Sequence, residues 1–312
     1  MSQGKTSEIL QEIKKSVVGK DEIIEKVLCA LLARGHILIE DIPGVGKTTM
    51  AMAFAKAVAL NANRMQFTPD VLPADVIGFH MYQKETGAFV YHEGPIMCNL
   101  FLADEINRTS AKTQSALLEV MEEGTVTVDG ITRSVPAPFL VIATQNPAGS
   151  AGTQLLPESQ LDRFIIKLTM GYPEQKDEIT ILKQKRGREV QREIHAVASA
   201  EDILQMQGEA AEVFVHNLIY EYAVKLVEKT RSSAMLELGV SPRGTIALIR
   251  MAQARAYIQD RQYVLPEDVR SVFRDVTEHR VLLSTKARVN HINAAKILEQ
   301  ILEEVPTPKP GR

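Results

Sequence analysis

The chain has no tryptophan among its 312 residues and only two cysteines. The missing indole removes the strongest stacking surface for single-stranded nucleic acid. Cys29 and Cys98 lie inside apolar runs, which suits buried free thiols in a reducing compartment and not a disulfide framework. No run approaches the roughly 20 apolar residues of a membrane span. The start, Met1-Ser2-Gln3-Gly4-Lys5, lacks the apolar stretch of a signal peptide. A cytoplasmic chain without a membrane span is the expectation. Charge of one sign is missing too: 36 Lys and Arg against 39 Asp and Glu leave a net charge of −3. Bulk electrostatics therefore supplies no reason for nucleic acid or an anionic membrane as partner. His36, His80, His92, His195, His216, His279 and His291 do not cluster with cysteines at ligand spacing, so no zinc-type site is expected.

What is present is an ordinary globular composition, 45% apolar and 24% charged. The length suits one large or two ordinary domains. Short apolar runs read as strands at 36–40, 64–68, 99–103, 139–144 and 161–168. Helical periodicity occupies 6–17, 21–33, 48–60 and 110–122. Continuous apolar strands alternating with helices imply an α/β fold, a parallel sheet covered on both faces. Two stretches exceed simple connections. Residues 79–91 place Glu85-Thr86-Gly87 between β-prone runs, and residues 125–135 place Asp129-Gly130 between alternating β-formers; both read as hairpins. Past Gly171-Tyr172-Pro173 the strands vanish and helical patterns run to about residue 304. The expected organisation is an α/β unit over 1–171, a smaller all-α unit over 172–305, and a disordered tail over 306–312.

One loop carries most of the chemistry. Asp41-Ile42-Pro43-Gly44-Val45-Gly46-Lys47-Thr48 follows an apolar strand and opens a helix. That context turns backbone N–H groups toward an anion at a helix N-terminus. Gly44 and Gly46 permit the turn and the close approach of phosphate oxygens. Lys47 should reach the β- and γ-phosphates, and the Thr48 hydroxyl should bind Mg²⁺. Pro43, Val45 and Thr49 complete the loop around the nucleotide. The full pattern has glycine where this chain has Asp41. The run continues into Lys47-Thr48 and not into the third glycine of a dinucleotide fold, which excludes a dehydrogenase. The expected ligand is ATP with magnesium.

Four further elements follow. Leu100-Phe101-Leu102-Ala103 ends in Asp104-Glu105. Asp104 can hold Mg²⁺ through water, and Glu105 can polarise an attacking water. Asn146, just past another strand, offers a neutral amide to that water or to the γ-phosphate; alone, Asn-Pro is a plain turn. Arg163, in Leu161-Asp162-Arg163-Phe164, lies in an apolar segment and needs an anion. That anion is either Asp162, as a local pair, or the ATP of a neighbouring subunit, met by an arginine finger. Arg243 follows Ser241 as N-cap and Pro242 as first helical residue. A cation there is unfavourable. A bound phosphate would remove the penalty, and a solvated side chain is the alternative.

In this order the elements resemble the AAA+ ATPases and, more narrowly, the MoxR family. The strings that carry the likeness are Asp41-Ile-Pro-Gly-Val-Gly-Lys-Thr48, Leu102-Ala-Asp-Glu-Ile-Asn-Arg108, Ala143-Thr-Gln-Asn-Pro147, Leu156-Pro-Glu-Ser-Gln-Leu-Asp-Arg-Phe164 and Val240-Ser-Pro-Arg-Gly244. The resemblance spans roughly residues 6–300. It implies that Asn146 is the first sensor, Arg163 the finger and Arg243 the second sensor, in a helical lid. It implies that Val17, Val18 and Gly19 sit against adenine, and that the hairpin near 79–91 is an insert in the helix after the second strand. Family members are chaperone-like ATPases, usually hexameric rings, often acting with a partner that bears a von Willebrand factor A domain. Gly19-Lys20 replaces the usual Gly-Gln.

On this reading Lys47, Thr48, Asp104, Glu105, Asn146 and Arg243 act within one subunit, Arg163 acts on the next, and ATP draws the lid onto the sheet. Two rival readings are a DNA-translocating motor and a nucleotide-dependent scaffold with slow turnover. The hairpins carry few cations, Lys84 and Arg133, where phosphate tracking wants more. Nucleic acid is therefore not the expected partner.

Overall fold

A computed structural model describes residues 3–42, 44–146, 156–186 and 193–308. Pro43 of the phosphate loop, Pro147 after Asn146, and residues 309–312 of the expected tail lie outside the described residues.

Along the chain, α1 (Gln3–Lys14) and α2 (Asp21–Leu32) lead into β1 (His36–Glu40). The phosphate loop opens α3 (Lys47–Ala57), and β2 (Ala62–Gln66) follows. A single turn, α4 (Pro73–Ile77), leads to the hairpin of β3 (Gly78–Gln83) and β4 (Ala88–Glu93). Then come β5 (Leu100–Asp104), α5 (Ala111–Glu123), the hairpin of β6 (Thr125–Val128) and β7 (Ile131–Ser134), and β8 (Leu140–Gln145). A turn, α6 (Glu158–Leu161), precedes β9 (Phe164–Leu168). The remainder is helical: α7 (Gln175–Arg186), α8 (Ala200–Ala211), α9 (Asn217–Ser232), then, past β10 (Leu236–Leu238), α10 (Pro242–Ile258) and α11 (Pro266–Thr277), and, past β11 (Leu282–Leu283), α12 (Thr285–Val289) and α13 (Ala294–Glu304). β10 and β11 form a small antiparallel pair, which the all-α expectation for this part of the chain missed. Strands of three and two residues leave no periodicity to read.

The central sheet has the order β2-β5-β8-β1-β9, and every pairing is parallel. β5 and β8 are buried along their whole length, as strands covered on both faces should be. One core joins α1, α2, α3 and the helices α8 to α13 on one side of the sheet. The other gathers Leu117, Leu118 and Met121 of α5 with Val126 and Val135 around the second hairpin. Both expected hairpins are present. They touch through His80 Nδ1 and Asp129 Oδ2, 2.7 Å apart, and through the Arg133 guanidinium, 3.9 Å above the Tyr91 ring.

Because the strands are parallel, the sheet has two chemically different edges. The phosphate loop leaves the C-terminal edge, after Glu40. At the opposite edge, His36 opens β1. Its Nδ1 accepts from the Val141 N–H at 3.0 Å, so Nε2 carries the proton and donates to the Met121 carbonyl at 2.8 Å. That bond fixes the C-terminal end of α5 at the N-terminal edge. At about 3.3 Å per residue, the edges stand roughly 15 Å apart.

Candidate nucleotide site

At the C-terminal edge, Gly44 (φ 86°) and Gly46 (φ 95°) occupy the left-handed region that lets the loop turn. Gly46 caps α3 and so aims the first-turn N–H groups into the loop. Lys47 is buried, and its Nζ donates to the main-chain oxygen of Asp41 at 3.0 Å. Burial lowers its pKa against the opposing pull of Asp41, Asp104 and Glu105. Thr48 and Thr49 follow in the first turn of α3.

Asp41 stands where the general pattern has glycine. Its backbone does not need positive φ, and its side chain has work of its own. The buried carboxylate accepts from Ile42 N at 2.8 Å and from Met170 N and Gly171 N at 2.6 Å each. Lys20 grips the same segment from its other side, donating to the carbonyls of Met170 at 2.5 Å and Tyr172 at 3.0 Å. Both departures from the family pattern, Asp41 and Lys20, thus hold the linker that runs from β9 to α7. Val17 is buried and Val18 half-buried, and a Cβ on Gly19 (φ 71°) would strike Asp177 of α7.

Asp104 and Glu105 end β5 as expected. The Asp104 carboxylate accepts from Arg64 Nε of β2 at 2.6 Å and from Thr144 Oγ1 of β8 at 3.2 Å. The Glu105 backbone is left-handed (φ 57°), a strained state for this residue type. Its N–H is pinned to Thr144 Oγ1 at 2.9 Å. Arg108 Nη1 donates to its carboxylate at 2.9 Å. Burial raises the Glu105 pKa, but hydrogen bonds from Arg108 and Asn146 and the charge of Lys47 bring it below the usual carboxylate range. Asn146 is itself held at both backbone atoms by the buried Asn107. Asn107 Nδ2 donates to the Asn146 carbonyl at 3.1 Å, and its Oδ1 accepts from the Asn146 N–H at 3.3 Å. Lys47, Asp104, Glu105 and Asn146 therefore share one edge. The Thr48 hydroxyl and the Asp104 carboxylate are hard oxygen donors of the kind that suits Mg²⁺.

Arg163 and Arg243 are elsewhere. Arg163 immediately precedes Phe164, whose Cα partner is His36, so it lies at the N-terminal edge. Arg163 Nε donates to Glu122 Oε2 at 2.8 Å, and Arg243 Nη2 donates to Glu122 Oε1 at 2.9 Å. The contact of Arg243 with the phosphate loop of its own chain is not made. The local Asp162–Arg163 pair is not made either. Asp162 instead accepts from Arg280 Nε at 2.7 Å and from the Ser241 hydroxyl at 2.9 Å. Arg280 is buried and also donates to the carbonyls of Asp162, Phe164, Ile165 and Val276. A side chain at Gly244 would collide with Arg280, so the glycine lets α10 start against it.

Sequence reasoning missed Glu122, Arg280, Asn107 and Arg64. Asn107 lies inside a quoted motif string, and Glu122 leaves a physical signal. An acid in the last turn of α5 faces the negative end of its helix and wants a cation nearby.

Comparison with known proteins places this architecture. Residues 36–166 match the family model described as ATPase family associated with various cellular activities (AAA), and residues 228–301 match the AAA lid domain. The chain is 47% identical to the uncharacterized protein YeaC of Bacillus subtilis over 96% of this chain and 93% of that one. It is 39% identical to Chaperone MoxR1 of Mycobacterium tuberculosis over 96% and 81% of the two chains. A crystal structure from Cytophaga hutchinsonii, of a protein named only as a candidate ATPase, superposes with a TM-score of 0.92 at 36% identity, covering 99% of this chain and 96% of that one.

Proposed function

Because the chain belongs to the MoxR family of AAA+ ATPases, we propose that it hydrolyses ATP to ADP and phosphate at sites shared between subunits and uses the motion to remodel a partner protein. One observation carries the reading: the charged groups are divided between the two edges of the sheet. Lys47, Asp104, Glu105 and Asn146 stand at one edge, and Arg163 and Arg243 stand at the other. Roughly 15 Å separates the edges along the strands, so the arginines serve another copy's triphosphate. Copies meeting edge to edge close into a ring, and six subunits is the number proposed.

Within each site, the loop amides and Lys47 bind the β- and γ-phosphates, and Val17, Val18 and Gly19 sit against adenine. Mg²⁺ held by Thr48 and Asp104 would supply positive charge to the phosphate oxygens. Glu105, ionised at neutral pH, orients and accepts a proton from the attacking water, and Asn146 fixes its carboxylate. Arg163 and Arg243 of the neighbour offset charge developing at the γ-phosphate. Arg243 is thereby reassigned from its own chain's site to the neighbour's.

Residues 1–171 form the nucleotide-binding unit and 172–305 the lid. The hairpins present the client surface. Tyr82 and Phe89, paired across the first hairpin with ring centroids 5.4 Å apart, are exposed, as are Phe79 on its opposite face and Ile131 of the second hairpin. A protein bearing a von Willebrand factor A domain is the partner class proposed, and the cytoplasm the setting. No described helix is long and apolar enough to cross a membrane.

The test is complementation. Arg163→Ala and Glu105→Gln each lose turnover alone, and mixing them restores part of it, because a mixed interface can pair an intact Glu105 with an intact Arg163. If Arg163→Ala keeps full turnover, or the mixture stays inactive, the shared site is wrong.

A further inference from the structure

Glu122 has no place in the mechanism above, yet it touches both arginines that do. Its two oxygens are divided between them, Oε2 to Arg163 Nε and Oε1 to Arg243 Nη2. All three side chains remain partly exposed, at 35% for Glu122, 28% for Arg163 and 46% for Arg243. Two guanidinium groups and one carboxylate leave one net positive charge, which is suited to an anion approaching from outside. Arg163 uses only Nε on Glu122, and its terminal Nη groups make no hydrogen bond to another described residue. The terminal donors that a phosphate needs are thus not taken up by any described residue, while the stem is held.

The mounts beneath this cluster are rigid. The Met121 carbonyl, one residue before Glu122, is bonded to the buried His36. Asp162 accepts from Ser241, the cap of the helix that carries Arg243, and from the buried Arg280. Burial raises the Glu122 pKa, but Arg243 and Arg163 bring it below the usual range, so it is ionised when they need it. Without that carboxylate, two like charges on flexible stems would repel and scatter.

We propose that Glu122 is a positioning residue that holds Arg163 and Arg243 side by side as one unit for the triphosphate bound by the neighbouring subunit. The proposal rests on the shared-site reading. Its chemistry is pre-organisation: the arginines arrive at the developing charge already paired on one carboxylate.

The experiment compares steady-state turnover and KM for ATP in the full chain carrying Glu122→Ala, Glu122→Gln, Arg163→Ala, or Arg163→Ala with Glu122→Ala. Glu122→Ala should lower kcat roughly tenfold and leave KM within about twofold. Glu122→Gln, which folds with the same shape and keeps one amide acceptor, should fall between it and the parent. Added to Arg163→Ala, Glu122→Ala should cost less than it does in the parent, because one of the two arginines it holds is already gone. If Glu122→Gln and Glu122→Ala keep parental kcat while Arg163→Ala is inactive, the positioning role is wrong and the shared site stands. If the losses add, Glu122 acts on general structure and the proposal fails. If Arg163→Ala keeps parental turnover, the shared site fails and takes the proposal with it.

Discussion

Arg243 Nη2 lies 2.9 Å from Glu122 Oε1, and each of the two sits at the wrong end of its own helix. Glu122 is in the last turn of α5 and Arg243 in the first turn of α10. Each charge is disfavoured by its own helix dipole and offset by the other. The pair also fixes which edge of the sheet Arg243 belongs to. Arg243→Ala should leave ATP affinity unchanged within about twofold and lower kcat by roughly tenfold or more. Equilibrium titration with a fluorescent nucleotide, beside steady-state turnover, checks both halves.

Lys47→Ala and Glu105→Gln should fail differently. Lys47 is the buried cation of the loop, so its loss should weaken nucleotide binding by at least roughly tenfold. Glu105→Gln should bind ATP normally and slow hydrolysis by about 10²-fold or more, since it removes the proposed base and keeps the shape. Binding and single-turnover measurements on the two variants separate these outcomes.

Acid should destabilise the fold through His36. Burial depresses its pKa to about 4, against a smaller opposing effect of its bond to Met121. The folded state therefore holds His36 neutral, while the unfolded chain takes up a proton below about pH 6.5. The stability it contributes is present above pH 6.5 and is lost as pH falls toward 4, at up to about 1.4 kcal/mol per pH unit. The buried His279 is shifted in the same direction. Melting temperatures at pH 7 and pH 5 should differ less for His36→Gln than for the parent. An equal or larger difference in the variant refutes this.

Asp41→Ala should cost stability even though the general pattern tolerates a small residue there. It strands three N–H groups, those of Ile42, Met170 and Gly171, two of which bond at 2.6 Å. Each stranded donor that water cannot reach costs about 1–3 kcal/mol. Chemical denaturation should show a loss of at least the lower figure, and Asp41→Asn, which keeps one acceptor, should lose less.

The parallel sheet, both hairpins and the groups at the C-terminal edge are legible from sequence. Lys47, Asp104-Glu105 and Asn146 each follow a short apolar strand, and consecutive parallel strands bring their ends to one edge. The other edge is not legible in the same way. Arg280 takes its carboxylate from a residue 118 positions away, and no local pattern announces such a pairing. Motif order suggests that Arg243 meets phosphate but does not say whose. That depends on where α10 docks, which Asp162, Arg280 and Gly244 decide through tertiary contacts. Asn107 reads as part of a motif string, but its grip on the Asn146 backbone exists only once β5 and β8 lie side by side.

The phosphate loop is also a joint. Its first residue is bolted by a carboxylate to the root of the helical segment that follows β9, and Lys20 clamps the same root from its other side. A lever is read most sensitively at its pivot. A shift of the loop would pull on Met170 and Gly171 directly, through the Asp41 carboxylate. Asp41 in place of glycine thus ties the start of the loop to the segment where the helical part of the chain begins, so that neither can shift without the other.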